Sequence, residues 1–127
     1  MKTTLQKSIE AYQLINNLNS VRMKSTATSR KLFGLKSLLK PNFEFYLEEE
    51  QKLVEDLGGK ITEDGKIIFA DQEEGTKKFL EGREELYKTE CDIAIDTPII
   101  FRDAEGLQVS GNDIELLQDM GLAKFTE

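Results

Sequence analysis

The stretch from Gly58 to Asp71 constrains this chain most, because it separates one kind of chain from another. Gly58-Gly59 closes a long helical pattern, since glycine enters the left-handed conformation that caps a helix without a Cβ penalty. Lys60-Ile61-Thr62 and Lys66-Ile67-Ile68-Phe69 then flank Glu63-Asp64-Gly65, and Asp-Gly favours the tight turns that join antiparallel strands. A lone hairpin is marginal in water, so this one must pack on helices or pair with a further strand. Residues before it read as helix; residues after it mix helix with short strands.

On the amino-terminal side, Thr3 or Thr4 is placed to cap a first helix running to about Asn19. Leu5, Ile9, Tyr12, Leu14 or Ile15, and Leu18 give it one apolar stripe at three- and four-residue spacing. Val21 to Thr28 reads as a polar, basic connector, and Thr28 or Ser29 as the cap of a second helix. There Leu32, Phe33, Leu35, Leu38 and Leu39 form a broad apolar face opposite Lys31, Lys36 and Lys40. Pro41 lacks a backbone N–H and crowds the preceding turn, so a break or sharp kink is expected before the pattern resumes through Phe43, Tyr46, Leu47, Leu53, Val54 and Leu57.

Beyond the hairpin, Asp71 with Glu74 resembles a capping box and opens a helix to about Thr89, with Gly82 as a weak point. Cys91 to Ile95 and Ile99 to Phe101 are strand candidates, and Leu107-Gln108-Val109 a last short one. Ser110 with Asp113 opens a final helix that Gly121 closes. The expected architecture is one α+β domain over 1–127. A helical hairpin or bundle fills 1–57, and 58–127 carries a small antiparallel sheet, built from the Ile61/Phe69 hairpin and the Ile93 and Ile99 segments, with a short C-terminal helix.

Chemistry is bounded by what is missing. There is no histidine and one cysteine, Cys91, which removes His-based acid/base work, Cys-His and Ser-His nucleophile pairs and most transition-metal sites. Neither nucleotide-binding glycine pattern occurs, and Asp92, Asp96, Asp103 and Glu105 match no calcium-loop spacing. No catalytic residue, cofactor, metal or small-molecule substrate is therefore assigned. The apolar runs are too short to span a membrane and no apolar segment follows the amino-terminal residues, so a cytoplasmic protein is expected.

The net charge of −7 conceals an asymmetry. Residues 1–43 hold eight basic side chains against one acid, a balance of +7, and residues 44–127 carry −14. Arg22, Lys24, Arg30, Lys31, Lys36 and Lys40 lie in a segment without one acid and are the candidate contact residues. Such a segment suits a protein partner, whether the acidic part of the same chain, a neighbouring copy or another protein; it also suits nucleic-acid phosphates, with Phe33 stacking on a base. Plain solvation is the remaining reading.

Gly58-Gly59-Lys60-Ile61, Asp64-Gly65, Phe69, Glu73-Glu74, Phe79, Glu84-Glu85-Leu86, Glu90, Asp92-Ile93 and Ser110 to Leu117 together resemble a family of short bacteriophage- and prophage-encoded proteins. The family has no established catalytic residues. The resemblance implies a phage-associated protein acting in a bacterial cytoplasm or in an assembling particle. The leading expectation is a non-enzymatic interaction or assembly protein that self-associates through its basic and acidic parts. A nucleic-acid-binding accessory protein, and a small acidic inhibitor that mimics nucleic acid toward a host factor, are the alternatives.

Overall fold

The computed structural model describes residues 2–127. Its first elements are a short strand β1 (Lys2–Thr4), helix α1 (Leu5–Asn19) and helix α2 (Thr26–Asp56). Thr4 caps α1, its hydroxyl accepting from Lys7 N at 3.3 Å, and the stripe of Leu5, Ile9 and Ile15 is buried. α2 begins earlier than the sequence suggests. Ser25, not Thr28 or Ser29, is the cap and accepts from Thr28 N, because Thr28 is itself buried inside the first turn. α1 and α2 form the expected helical hairpin.

The expected break at Pro41 does not occur: α2 runs through it for 31 residues. An internal proline costs about 3 kcal/mol through its missing N–H and its clash with the carbonyl four residues back, here that of Ser37. Leu32, Leu35, Leu39, Tyr46 and Val54 are all buried along the same helix. At about 1.5–3 kcal/mol for each such side chain, keeping the helix whole outweighs the cost of one proline that faces solvent.

Next come β2 (Lys60–Ile61) and β3 (Ile67–Ile68), an antiparallel hairpin pairing Lys60 with Ile68 and Ile61 with Ile67. Gly58 (φ 73°) closes α2 and Gly65 (φ 84°) sits in the turn, as their sequence context requires. Helix α3 (Gln72–Tyr87) starts at Asp71, whose carboxylate accepts from Glu74 N at 3.2 Å. Strand β4 (Glu90–Asp92) pairs antiparallel with β1, putting Thr3 opposite Cys91. Strand β5 (Ile99–Arg102) leads through a 3-10 turn (Asp103–Glu105) to helix α4 (Gly111–Asp119). Ser110 and Asp113 exchange side-chain and backbone bonds at the start of α4, and Gly121 (φ 68°) follows its end. Strand β6 (Ala123–Thr126) then lies parallel to β5, with Phe101 opposite Phe125.

The class is α+β, as the residue pattern indicates, with a helical hairpin, small antiparallel pairs and a short helix near the C-terminus. The strand partners differ from expectation. The described strands form three separate two-stranded pairs, and the Ile93 and Ile99 segments do not join the hairpin. Leu107–Val109 is no strand, and the partner of β5 is Ala123–Thr126. β1 was hidden because three residues, two of them threonine, carry no periodicity.

Three apolar clusters hold these pieces. The largest joins Ala11 and Ile15 of α1, Leu32, Leu35 and Leu39 of α2, and Phe101, Leu117 and Leu122. A second gathers Leu5, Ile9 and Tyr46, with Phe43, Leu86 and Tyr87 against them. The third, Val54, Phe69 and Phe79, lies beneath the hairpin. Gly82, a weak point by propensity, is instead a contact: a Cβ there would lie 2.8 Å from Leu53 Cδ1 where α3 meets α2.

Two substitutions check this account in denaturant melts. Pro41→Ala restores a backbone donor in an unbroken helix and is expected to raise stability by about 1–3 kcal/mol. Gly75→Ala should do the opposite of what helix propensity says. Its Cβ would lie 2.3 Å from Phe69 Cγ, so a loss of about 1–3 kcal/mol is expected where propensity alone gives a gain of about 1 kcal/mol.

Candidate functional site

The six basic candidates divide into two groups. Lys31 and Lys40 are engaged within the chain. Lys31 Nζ meets Glu105 Oε1 at 2.9 Å, donates to Ile100 O at 2.8 Å and stands 5.5 Å from the centroid of Phe101. Lys40 makes only a solvent-exposed pair with Glu44 one turn on, at 3.8 Å, a geometry worth a few tenths of a kcal/mol. Arg22, Lys24, Arg30 and Lys36 form no ion pair among the described residues. The acidic remainder thus neutralises one member of the basic segment across elements and leaves four free.

Glu105 explains why Lys31 differs. Its Oε1 accepts from Thr28 Oγ1 at 2.6 Å as well as from Lys31, and its Oε2 accepts from Arg102 N at 2.6 Å. The carboxylate therefore sits by the first turn of α2, where the helix dipole also favours a negative charge. Burial raises its pKa, but the Thr28, Arg102 and Lys31 contacts overcome this and hold it down at about 2. Nothing in the sequence pairs residues 77 positions apart, and Thr28 reads there only as a cap candidate. Of the four acids that match no calcium-loop spacing, Glu105 is thus committed to this latch, and Asp92, Asp96 and Asp103 are exposed. Among the described residues no three Cys, Asp or Glu side chains gather closely enough to hold a metal ion.

The latch borders a cavity of about 490 Å³. The loop between α1 and α2 supplies one wall with Val21, Arg22, Met23 and Lys24, and the 3-10 turn and the residues after it supply the other with Ala104, Gly106 and Gln108. Arg22 and Lys24 are exposed at this cavity. The polar, basic connector therefore has a recess beside it, with apolar as well as cationic lining.

Further along α2, spacings of three, four and seven residues bring Arg30, Phe33, Ser37 and Lys40 to one side, flanked by Lys36. Phe33 does not join the apolar stripe assigned from its sequence. It is 64% exposed, the most exposed large apolar side chain among the described residues. Leu32 and Leu35 take the buried positions around it, and its own direction points to solvent between the cations. Its ring stands on the helix side that carries Arg30 and Lys40.

No helix among the described residues is long and apolar enough to cross a membrane. Glu105→Gln is expected to cost about 1.5–3 kcal/mol near neutral pH, through weakened charge-assisted bonds to Thr28, Lys31 and Arg102 N. Because the folded pKa lies below the unfolded one, this stabilisation is complete above about pH 4.5 and fades as pH falls toward 2. The gap between wild type and Glu105→Gln in urea melts should therefore close over that acid window. Comparison of the chain with protein-family models, curated proteins and solved structures finds no match.

Proposed function

We propose that this chain is a non-enzymatic interaction protein that associates with an acidic protein surface through the free basic face of α2 and the loop before it. The observation that carries this reading is Phe33, 64% exposed on a helix side it shares with Arg30 and Lys40 and that Lys36 flanks. An exposed ring beside Arg30 and Lys36, which form no ion pair among the described residues, combines apolar area with charge, the pairing that gives protein contacts both affinity and orientation. An assembly or adaptor role, in the phage setting that the sequence resemblance implies, is consistent with such a surface.

The same aromatic-basic arrangement supports a second reading, single-stranded nucleic acid stacked on Phe33 and held by Arg30 and Lys36. The rest of the chain works against it. A balance of −14 over residues 44–127 repels a polyanion, while it supplies acidic surface for a protein contact.

Light scattering and sedimentation at low and physiological salt test the leading reading, as the screening length shrinks from about 30 Å to about 8 Å. Association at low salt, weakening as salt is added and lost in Arg30→Glu/Phe33→Ser/Lys36→Glu, is the expected result. A protein that stays monomeric at low salt and binds no poly-glutamate would sink it. Tighter binding to a single-stranded oligonucleotide than to itself or to poly-glutamate would transfer the assignment to the second reading.

A further inference from the structure

A cleft of about 410 Å³ lies at the far end of the α1–α2 hairpin from the basic loop, where α1, α2 and α3 meet. Glu10 of α1 and Glu50 of α2 line it together with the rings of Phe43, Tyr46 and Tyr87, and none of its lining residues is basic. Tyr46 donates its hydroxyl proton to Glu50, and the Tyr46 and Tyr87 rings stack with centroids 5.6 Å apart. Carboxylates beside aromatic faces suit a cation carried on an apolar stem, since the ring quadrupole and the carboxylate attract the same charge. Tyr87 already shows this preference, for the Arg83 guanidinium lies 5.4 Å from its centroid. Leu47, 47% exposed, adds apolar surface to the lining.

Arg30 and Lys36 of the same chain do not reach Glu50 in this cleft, being twenty and fourteen residues from it along the helix, about 30 Å and about 21 Å. Phe33 and Glu50 are on one unbroken helix, and seventeen residues at 1.5 Å each set them about 25 Å apart along it. A lysine or arginine side chain spans only a fraction of that distance. We propose that the cleft receives Arg30 or Lys36 of a second copy, with Phe33 of that copy set against Leu47, so that unlike ends of two chains meet. The proposal rests on the interaction reading above and names its acceptor.

Charge and shape agree on this occupant. The donor face offers unpaired cations flanking an exposed ring, and the acceptor offers carboxylates flanking aromatic rings and an exposed leucine. Burial, then the hydrogen bond to Glu50, push the Tyr46 hydroxyl well above its usual range, so it remains a donor that holds the Glu50 carboxylate in place. A cleft of this size seats one or two side chains, which makes the contact weak and sensitive to salt.

The test uses the full chain at low salt, with circular dichroism as the check on folding. Glu10→Gln/Glu50→Gln keeps the size of both side chains and should weaken self-association about tenfold. Two reversed variants, Glu10→Lys/Glu50→Lys and Arg30→Glu/Lys36→Glu, should each be monomeric alone and associate when mixed, because each then offers the other a complementary pair of surfaces. Tyrosine emission should change on association, as Tyr46 and Tyr87 are two of the three tyrosines and there is no tryptophan. Association lost in the basic-face variant but unaffected by the Gln pair overturns the cleft as acceptor while the interaction reading survives. A folded, reversed pair that fails to associate on mixing overturns it as well, and so does a cleft that binds butylammonium in a chain that never self-associates.

Discussion

One helix, α2, passes through all three apolar clusters, and the other elements take their places by what they pack against along it. Leu32, Leu35 and Leu39 anchor the first cluster, Tyr46 the second and Val54 the third. The residues of α1, α4, β5 and β6 that enter the first cluster, and those of α3 and the β2–β3 hairpin that enter the third, need not touch one another. This arrangement makes the integrity of α2 a condition for the whole fold. It also accounts for a proline being carried within the helix, since three clusters in series reward a continuous helix more than one proline penalises it.

Much of this was legible before any coordinates, and the legible parts share a cause. Thr4, Gly58, Asp64-Gly65, Asp71, Ser110 and Gly121 act through their own backbone or the next turn, and such signals survive in a linear string. The misread parts depend on distant partners. Pro41 is decided by burial on the opposite face, and Thr28 by a glutamate 77 residues away. β6 is decided by its pairing with β5, more than twenty residues earlier in the chain. Phe33 shows the same limit within a site, because a periodic stripe names a face but not its width. The candidate cations were visible as a charge run, while the fate of each, latched, locally paired or free, required the fold.

The electrostatic layout follows from the same helix. Had α2 broken at Pro41, its acidic part would have been free to fold back on its basic start. As one continuous helix it holds them apart, so that among the described residues Glu105, brought in by the turn after β5, pairs with the basic segment across elements and Glu44 only locally, with Lys40 one turn away. The remaining free cations stay on the surface at one end of the hairpin, and the cleft with Glu10 and Glu50 lies toward the other. The chain is therefore polar along its length, as a consequence of packing and not of composition alone.

The splitting of the strands into three pairs has its own consequence. Each strand is two to four residues long, so no edge offers the run of free N–H and C=O groups that would template a strand from another molecule. Short edges of this kind disfavour backbone ladders as a means of joining copies. The proposed contact between copies relies instead on side-chain charge and ring faces, whose strength ions in the surrounding solution can adjust, so on that proposal the assembly is reversible by a change of medium rather than by unfolding.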